Sequence, residues 1–280
     1  MRYETPQAFE RALSDRLKRQ AAEEGVDLDR LRKRVAFERF LARLFEQTPA
    51  RWVLKGGYAL ELRLGGRARA TKDVDLDRPP PPAEDLLDEL QEAAEKDLGD
   101  FFEFRVGTPK PMRGAPLGSL RFSVEARLAG KPFTGFALDV GQGDAPLGEA
   151  EWKEGRADLA FAGIERARMA VYPLTDHFAE KLHAYTRPRE HRTRVKDLLD
   201  LSVILEELAD ELPPPEEMRR TIEAAFGRYG THALPDPLPA PPEGWTVPFE
   251  AEATNLGLRM TDISHAHEAI EEYLRALRGR

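Results

Sequence analysis

Two short segments constrain the fold more than anything else in the chain: Val53-Leu54-Lys55-Gly56-Gly57 and Asp73-Val74-Asp75-Leu76-Asp77. Taken locally they form a strand, a glycine turn, a short helix and a second strand carrying alternate aspartates. Side chains of a strand alternate between its two faces. Asp73 and Asp75 therefore leave one face, while Val74 and Leu76 leave the apolar one. Neighbouring carboxylates repel unless a positive group lies between them, and for all-oxygen donors the usual group is Mg²⁺. A double glycine lets backbone approach a phosphate at the start of a helix, where unpaired N–H groups attract anions. Carboxylates for a metal beside a turn for phosphate point to nucleotide chemistry.

Asp73 and Asp75 are thus candidate ligands of two Mg²⁺ ions. One ion would bind the nucleotide phosphates and the other would lower the pKa of an attacking hydroxyl. The competing reading is a charged, solvent-facing strand edge; the adjacent glycine turn favours the metal. Asp77 shares their parity but ends the strand before Arg78-Pro79-Pro80-Pro81-Pro82, which fits a supporting role. Asp139 ends a predicted strand, Phe133 to Val140, ahead of Gly141-Gln142-Gly143, where an Asp also commonly starts a turn. Asp144 and Glu125 are the alternates for a third carboxylate. Gly56 and Gly57 are candidates to hold the β- and γ-phosphates on backbone N–H groups.

A second block follows: Glu180-Lys181-Leu182-His183-Ala184, then Lys196-Asp197-Leu198-Leu199-Asp200-Leu201. Both segments read as helical. Lys181 sits on a helix that Leu182 and Tyr185 would anchor. Asp197 and Asp200 fall on one helical face. They could hold Lys181, position a basic loop or contact the nucleotide, and a carboxylate in a first helical turn is also favoured by the dipole alone.

Gly56-Gly57 with Arg69-x-Thr71-x-Asp73-x-Asp75, joined to this second block, resembles the polymerase-β-like nucleotidyltransferases. Within them it is most similar to the AbiEii/AbiGii-type abortive-infection toxins, and it is also similar to MenT-type toxins. The resemblance covers about Arg51 to Leu201 and extends poorly into the terminal helical parts. It implies an α+β fold: a polymerase-β-like nucleotidyltransferase core, a mixed sheet with flanking helices, plus a C-terminal helical domain. It implies Mg²⁺-dependent transfer of a nucleoside monophosphate from a nucleoside triphosphate, with pyrophosphate released. It further implies growth inhibition, control by a cognate antitoxin and, in some relatives, addition to tRNA 3′ ends. The family's third acidic residue comes from a strand beside the Asp-x-Asp strand, and Asp139 matches it as metal ligand or general base. Arg69 and Thr71 match the family's Arg-x-Thr and are assigned to the nucleotide, as are Asp197, Asp200 and Lys181, the last meeting the triphosphate as a point charge. Asp73, Asp75, Asp139 and Lys181 form the expected catalytic set.

The net charge of −8 argues against a protein that coats nucleic acid, yet a local basic segment exists. Arg187, Arg189, Arg192, Arg194 and Lys196 fall within ten positions and are candidates to hold an RNA acceptor. His183 and His191 are read as members of that basic groove. Trp52, Trp152 and Trp245 are expected to pack rather than stack on bases. Cysteine is absent, which excludes disulfides and thiolate zinc sites. No stretch is apolar enough for a signal core or a membrane span, so a cytoplasmic protein without membrane contact is expected. Rival readings are a same-fold transferase acting on a protein or small molecule, and a catalytically silent nucleotide-binding module.

Three parts are expected along the chain: an N-terminal helical segment over 1–50, the nucleotidyltransferase core over 51–172 and a helical C-terminal domain over 173–280. Pro6 to Glu46 reads as helical, with Asp27 as an N-cap and Thr48-Pro49 as a stop, and packs behind the core. The core begins as a βαβ-like unit, followed by a helix over Ala83 to Leu98. Strands over Phe101 to Val106, Leu120 to Arg127 and Phe133 to Val140 come next, the last two joined through Leu128-Ala129-Gly130-Lys131-Pro132. Helices over Asp176 to Tyr185, Val195 to Leu208 and Thr261 to Leu277 complete the reading.

Overall fold

The computed structural model describes residues 1–46, 51–65, 68–69, 71–78, 86–112, 119–142, 146–188 and 194–279. The chain divides into two units: residues 1–66, 70–145 and 150–171, and residues 67–69, 146–149 and 172–280.

In the first unit the N-terminal region forms two helices, because Gly25 adopts a left-handed φ of 65° and stops the first. Helix α1 (Pro6–Glu24) is capped by the Thr5 hydroxyl, and α2 (Leu28–Phe45) by Asp27, whose carboxylate accepts from the N–H groups of Asp29 and Arg30. Thr48-Pro49 lies outside the described residues. Two rings of α2 enter the core. Phe37 packs edge-on against Tyr58 at 5.3 Å and Phe136 at 4.9 Å, and Phe40 meets Phe104 at 5.5 Å. The same helix buries Arg39 and Arg43, both on Asp100: Arg39 Nε to Oδ2 at 2.7 Å, and Arg43 Nη2 to Oδ1 at 2.7 Å. Pairing is what makes such burial tolerable.

The strands are β1 (Val53–Lys55), β2 (Asp73–Arg78), β3 (Phe102–Val106), β4 (Lys110–Pro111), β5 (Leu120–Leu128), β6 (Lys131–Gln142), β7 (Glu151–Glu154) and β8 (Arg168–Val171). They form one sheet in the order β3-β5-β6-β2-β1-β8-β7, with β4 added beside β5. β2 runs parallel to β6, and β1 parallel to β8; the remaining pairs are antiparallel. Helix α3 (Gly56–Arg63) joins β1 to β2, which return antiparallel, so the βαβ-like opening is not a parallel unit. Helix α4 (Leu86–Glu95) buries Leu86, Leu90, Ala93 and Ala94. The β5–β6 hairpin is tighter than expected. Its turn is Ala129-Gly130, both with positive φ (53° and 74°), the geometry whose twist matches the flanking strands. Strands β7 and β8 escaped the sequence reading: each has only four residues, and β7 alternates between half-buried and exposed without an apolar face. The mixed sheet with flanking helices is the α+β arrangement expected.

The second unit is helical: α5 (Leu174–Thr186), α6 (Val195–Glu207), α7 (Pro215–Tyr229), α8 (Thr246–Leu256) and α9 (Ile263–Leu277). Pro215 opens α7, where its missing N–H costs nothing. Asp262 caps α9, whose buried stripe is Ile263, Ala266, Ile270, Leu274 and Leu277. Among the described residues, no helix is long and apolar enough to cross a membrane.

Candidate active site

The register of the sheet assembles a row of four charged residues. Lys55 on β1 pairs with Asp75 on β2, Asp75 with Asp139 on β6, and Asp139 with Arg121 on β5. Directly paired residues project from the same face. Asp73 lies two positions before Asp75 and Asp77 two after, so both share it. The first unit thus brings Asp73, Asp75 and Asp139 to one face of two adjacent parallel strands.

Backbone geometry makes room for these carboxylates. Gly56, the first residue of α3, has a φ of 68°, and a β-carbon there would overlap the Asp75 carboxylate. Glycine is required twice over at that position, by conformation and by space. Gly57 is buried in the first turn. Gly141 answers the same need beside Asp77, whose Oδ1 a side chain would strike. Asp77 is wholly buried and takes the Lys55 ammonium at 2.7 Å. The sequence reading missed Lys55 as part of this face, although its parity relative to Gly56 follows from β1.

Arg121 is the second residue missed. Its Nε donates to Asp139 Oδ1 at 2.6 Å and its Nη2 to Oδ2 at 2.5 Å, while Nη2 stands 3.7 Å from Asp73 Oδ2. The hydrogen bonds to Asp139 and the charges of Asp139, Asp73 and Asp75 hold the guanidinium proton more firmly than in an ordinary arginine. Only its parity with Ser123 and Glu125 on β5 hinted at this face. Of the alternates to Asp139, Glu125 is paired with Arg127 at 2.9 Å, and Asp144 lies outside the described residues.

These side chains suit a hard divalent cation, for they offer carboxylate oxygens alone. Among the described residues, no group of three or more His, Asp or Glu is arranged to hold a metal as it stands. The Arg121 guanidinium instead marks where positive charge is needed, against Asp139 and near Asp73. Asp73, Asp75 and Asp139 are therefore a fitting donor set, provided that Arg121 yields.

The second motif gathers in the second unit. Lys181 on α5 places its Nζ 2.7 Å from Asp200 Oδ2 and 3.2 Å from Asp197 Oδ1, both on α6. Arg69 forks onto Asp200, with Nε to Oδ1 at 2.9 Å and Nη2 to Oδ2 at 3.1 Å. Burial alone would lower the Lys181 pKa, but the charges of Asp200 and Asp197 outweigh it and hold the ammonium above the ordinary lysine range. Burial likewise opposes ionisation of Asp200, and Lys181 with Arg69 overcomes it. Thr71 is buried just ahead of β2. In the basic segment Arg187 is half-buried, while Arg194 and Lys196 are exposed; Arg189 and Arg192 lie outside the described residues. His191 does too. His183 is not part of a basic groove: it is buried, stacked on Tyr229 at 4.4 Å, with its Nε2 2.8 Å from the Thr231 hydroxyl. Trp52 and Trp245 are buried, whereas Trp152 on the edge strand β7 is 45% exposed with the Arg168 guanidinium over its ring.

A model of the AbiEii nucleotidyl transferase toxins, of type IV toxin–antitoxin systems, matches residues 39–276. Among solved structures the chain is similar to MenT4, a nucleotidyltransferase toxin of Mycobacterium tuberculosis, with a TM-score of 0.56 and 21% identity across 90% of this chain and 92% of that one. It is also similar to JHP933 of Helicobacter pylori, with a TM-score of 0.43 and 15% identity across 87% and 94%. No curated protein sequence matches. The likeness to MenT4 is one of fold. The family match takes in the Asp-x-Asp strand, Asp139 and the Lys181 block together, and so the chain belongs to the AbiEii nucleotidyltransferase toxin family.

Proposed function

We propose that this toxin transfers a nucleoside monophosphate from a nucleoside triphosphate to an RNA hydroxyl, a tRNA 3′ end being the candidate acceptor, in a Mg²⁺-dependent reaction. The observation that carries the reading is the Asp75–Asp139 register, which sets carboxylates of two strands on one face with Asp73 beside them. Asp73, Asp75 and Asp139 would hold the metal. When bound, Mg²⁺ would neutralise phosphate charge and acidify the attacking hydroxyl.

The chain's own residues do the rest. Gly56 and Gly57 present the start of α3, free of side chains, to the triphosphate. Asp139 is assigned to accept the proton of the acceptor hydroxyl once Arg121 has yielded. The acceptor oxygen then bonds to the α-phosphorus, the α–β bridging P–O bond breaks, and pyrophosphate leaves with the electron pair. Within its unit Lys181 is already matched by Asp197 and Asp200, so a role on the triphosphate requires its ammonium to exchange one carboxylate for phosphate oxygens. Arg187, Arg194 and Lys196, with Arg189 and Arg192, are assigned to the acceptor's backbone phosphates. Family membership supports a cognate antitoxin as partner.

The test is label transfer from each α-labelled ribonucleoside triphosphate to tRNA, total RNA or lysate protein, with and without chelator. Label on an RNA 3′ end that vanishes with chelator and with Asp73→Asn is the expected result. Label on protein or on a small molecule would replace the acceptor. Growth inhibition that survives Asp73→Ala and Asp75→Ala would show a catalytically silent module instead.

A further inference from the structure

We propose that Arg121 is an exchangeable counter-ion of the metal site: it occupies Asp139 while the metal is absent and passes to the triphosphate when the metal arrives. This deepens the metal-dependent reading above and rests on it.

The argument begins with the two cations at the ends of the charged row. Lys55 holds Asp77, which is wholly buried, and is itself only 24% exposed. Losing a cation from so deeply buried a carboxylate is costly, so this pair is ill suited to exchange. Arg121 is different. Its side chain is 48% exposed while that of Asp139 is 8% exposed. The guanidinium thus stands on the open side of the pair and the carboxylate on the closed side. Its fork engages both oxygens of Asp139, so a metal must compete with it there. Its Nη2 also reaches toward Asp73, at 3.7 Å, and thus lies across the face on which the metal would sit.

Two facing carboxylates without a cation repel. In the absence of metal the fork relieves that repulsion and keeps Asp139 oriented. A divalent cation that takes Asp139 releases a planar group whose geometry suits phosphate oxygens as well as carboxylate. Metal and triphosphate binding then favour each other, because each removes a competitor of the other. Free metal by itself would occupy the site poorly.

The experiment is Mn²⁺ binding to the full chain, followed by electron paramagnetic resonance, for the wild type, Arg121→Gln and Arg121→Lys, with and without a nonhydrolysable triphosphate. Without nucleotide, Arg121→Gln is expected to bind Mn²⁺ roughly tenfold more tightly than wild type, the factor that corresponds to losing one charge-assisted fork. Arg121→Lys, which keeps the charge but not the fork, falls between and serves if the glutamine variant fails to fold. The triphosphate should tighten Mn²⁺ binding in wild type by several-fold more than in Arg121→Gln. Equal or weaker Mn²⁺ binding by Arg121→Gln, with Asp75→Asn still abolishing it, overturns the counter-ion role and leaves the metal site standing. Absence of Mn²⁺ binding in every variant, with and without triphosphate, overturns the metal reading itself.

Discussion

Single residues on the sheet face divide by burial. Asp73 is 41% exposed and Asp77 is wholly buried, although they lie four positions apart on one strand with the same parity. Asp73→Asn should therefore abolish transfer while changing stability by less than about 0.5 kcal/mol, since exposed substitutions seldom matter to folding. Asp77→Asn should cost about 2 kcal/mol by removing one charge of a largely buried ion pair, a loss reduced because Lys55 retains some solvent. Denaturant unfolding of both variants beside a transfer assay checks the pair; a stable Asp77→Asn would refute the assignment. Gly56→Ala should lose both stability and activity, because the new methyl meets the Asp75 carboxylate at a left-handed φ. The parity of Asp73, Asp75 and Asp77 was readable from a strand period of two. That Asp73 stays exposed while Asp77 is buried was not, for it depends on Lys55 and Gly141 approaching from other strands.

Helices carry two predictions. Glu38 on α2 is buried and accepts N–H bonds from Arg156 at 2.9 Å and Ala167 at 3.5 Å, tying the helix to the chain leading into β8. Burial, against the pull of those bonds, raises its pKa from 4.5 to about 7. A raised carboxyl pKa means that the folded state favours the proton. Its contribution is full below pH 4.5 and is lost as pH rises through about 7. Glu38→Gln keeps one of the two acceptor oxygens and removes the titration, so the pH dependence of its stability is the readout. Its stability relative to wild type should grow by roughly 3 kcal/mol across that window, and parallel unfolding curves at the two ends would contradict this. On α6, Asp200→Ala leaves Lys181 and Arg69 facing a gap and should cost about 3 kcal/mol; removing Lys181 as well should recover part of the loss in a double-mutant cycle. Spacing alone put Asp197 and Asp200 on one face. That Arg69 would join them is a long-range contact that no local pattern encodes. The amphipathic pattern of α2 likewise hid Arg39 and Arg43, whose burial depends on Asp100 from a different part of the chain.

For the whole molecule, the balance of charge frames the acceptor. A protein of net charge −8 that binds RNA must do so through a confined patch. Transfer to tRNA should fall steeply between low and physiological salt, by about tenfold or more for a few phosphate contacts, and Arg194→Glu should weaken it across all RNA sequences alike. A salt-insensitive reaction would remove RNA as acceptor. The presence of strands and the helical second half could be read from periodicity, and the two motif blocks from spacing and the family resemblance, because those properties are local: alternation places aspartates on a face, and helical offsets place Asp197 beside Asp200. Which carboxylate opposes which, and which cation answers them, belonged to pairing across distance. Asp139 meets Asp75 because β2 and β6 run parallel in one register, and Arg121 reaches Asp139 because β5 folds back on β6 through a two-residue turn. Charge compensation in a sheet acts perpendicular to the chain, so residues remote in sequence become neighbours only once the strands have paired.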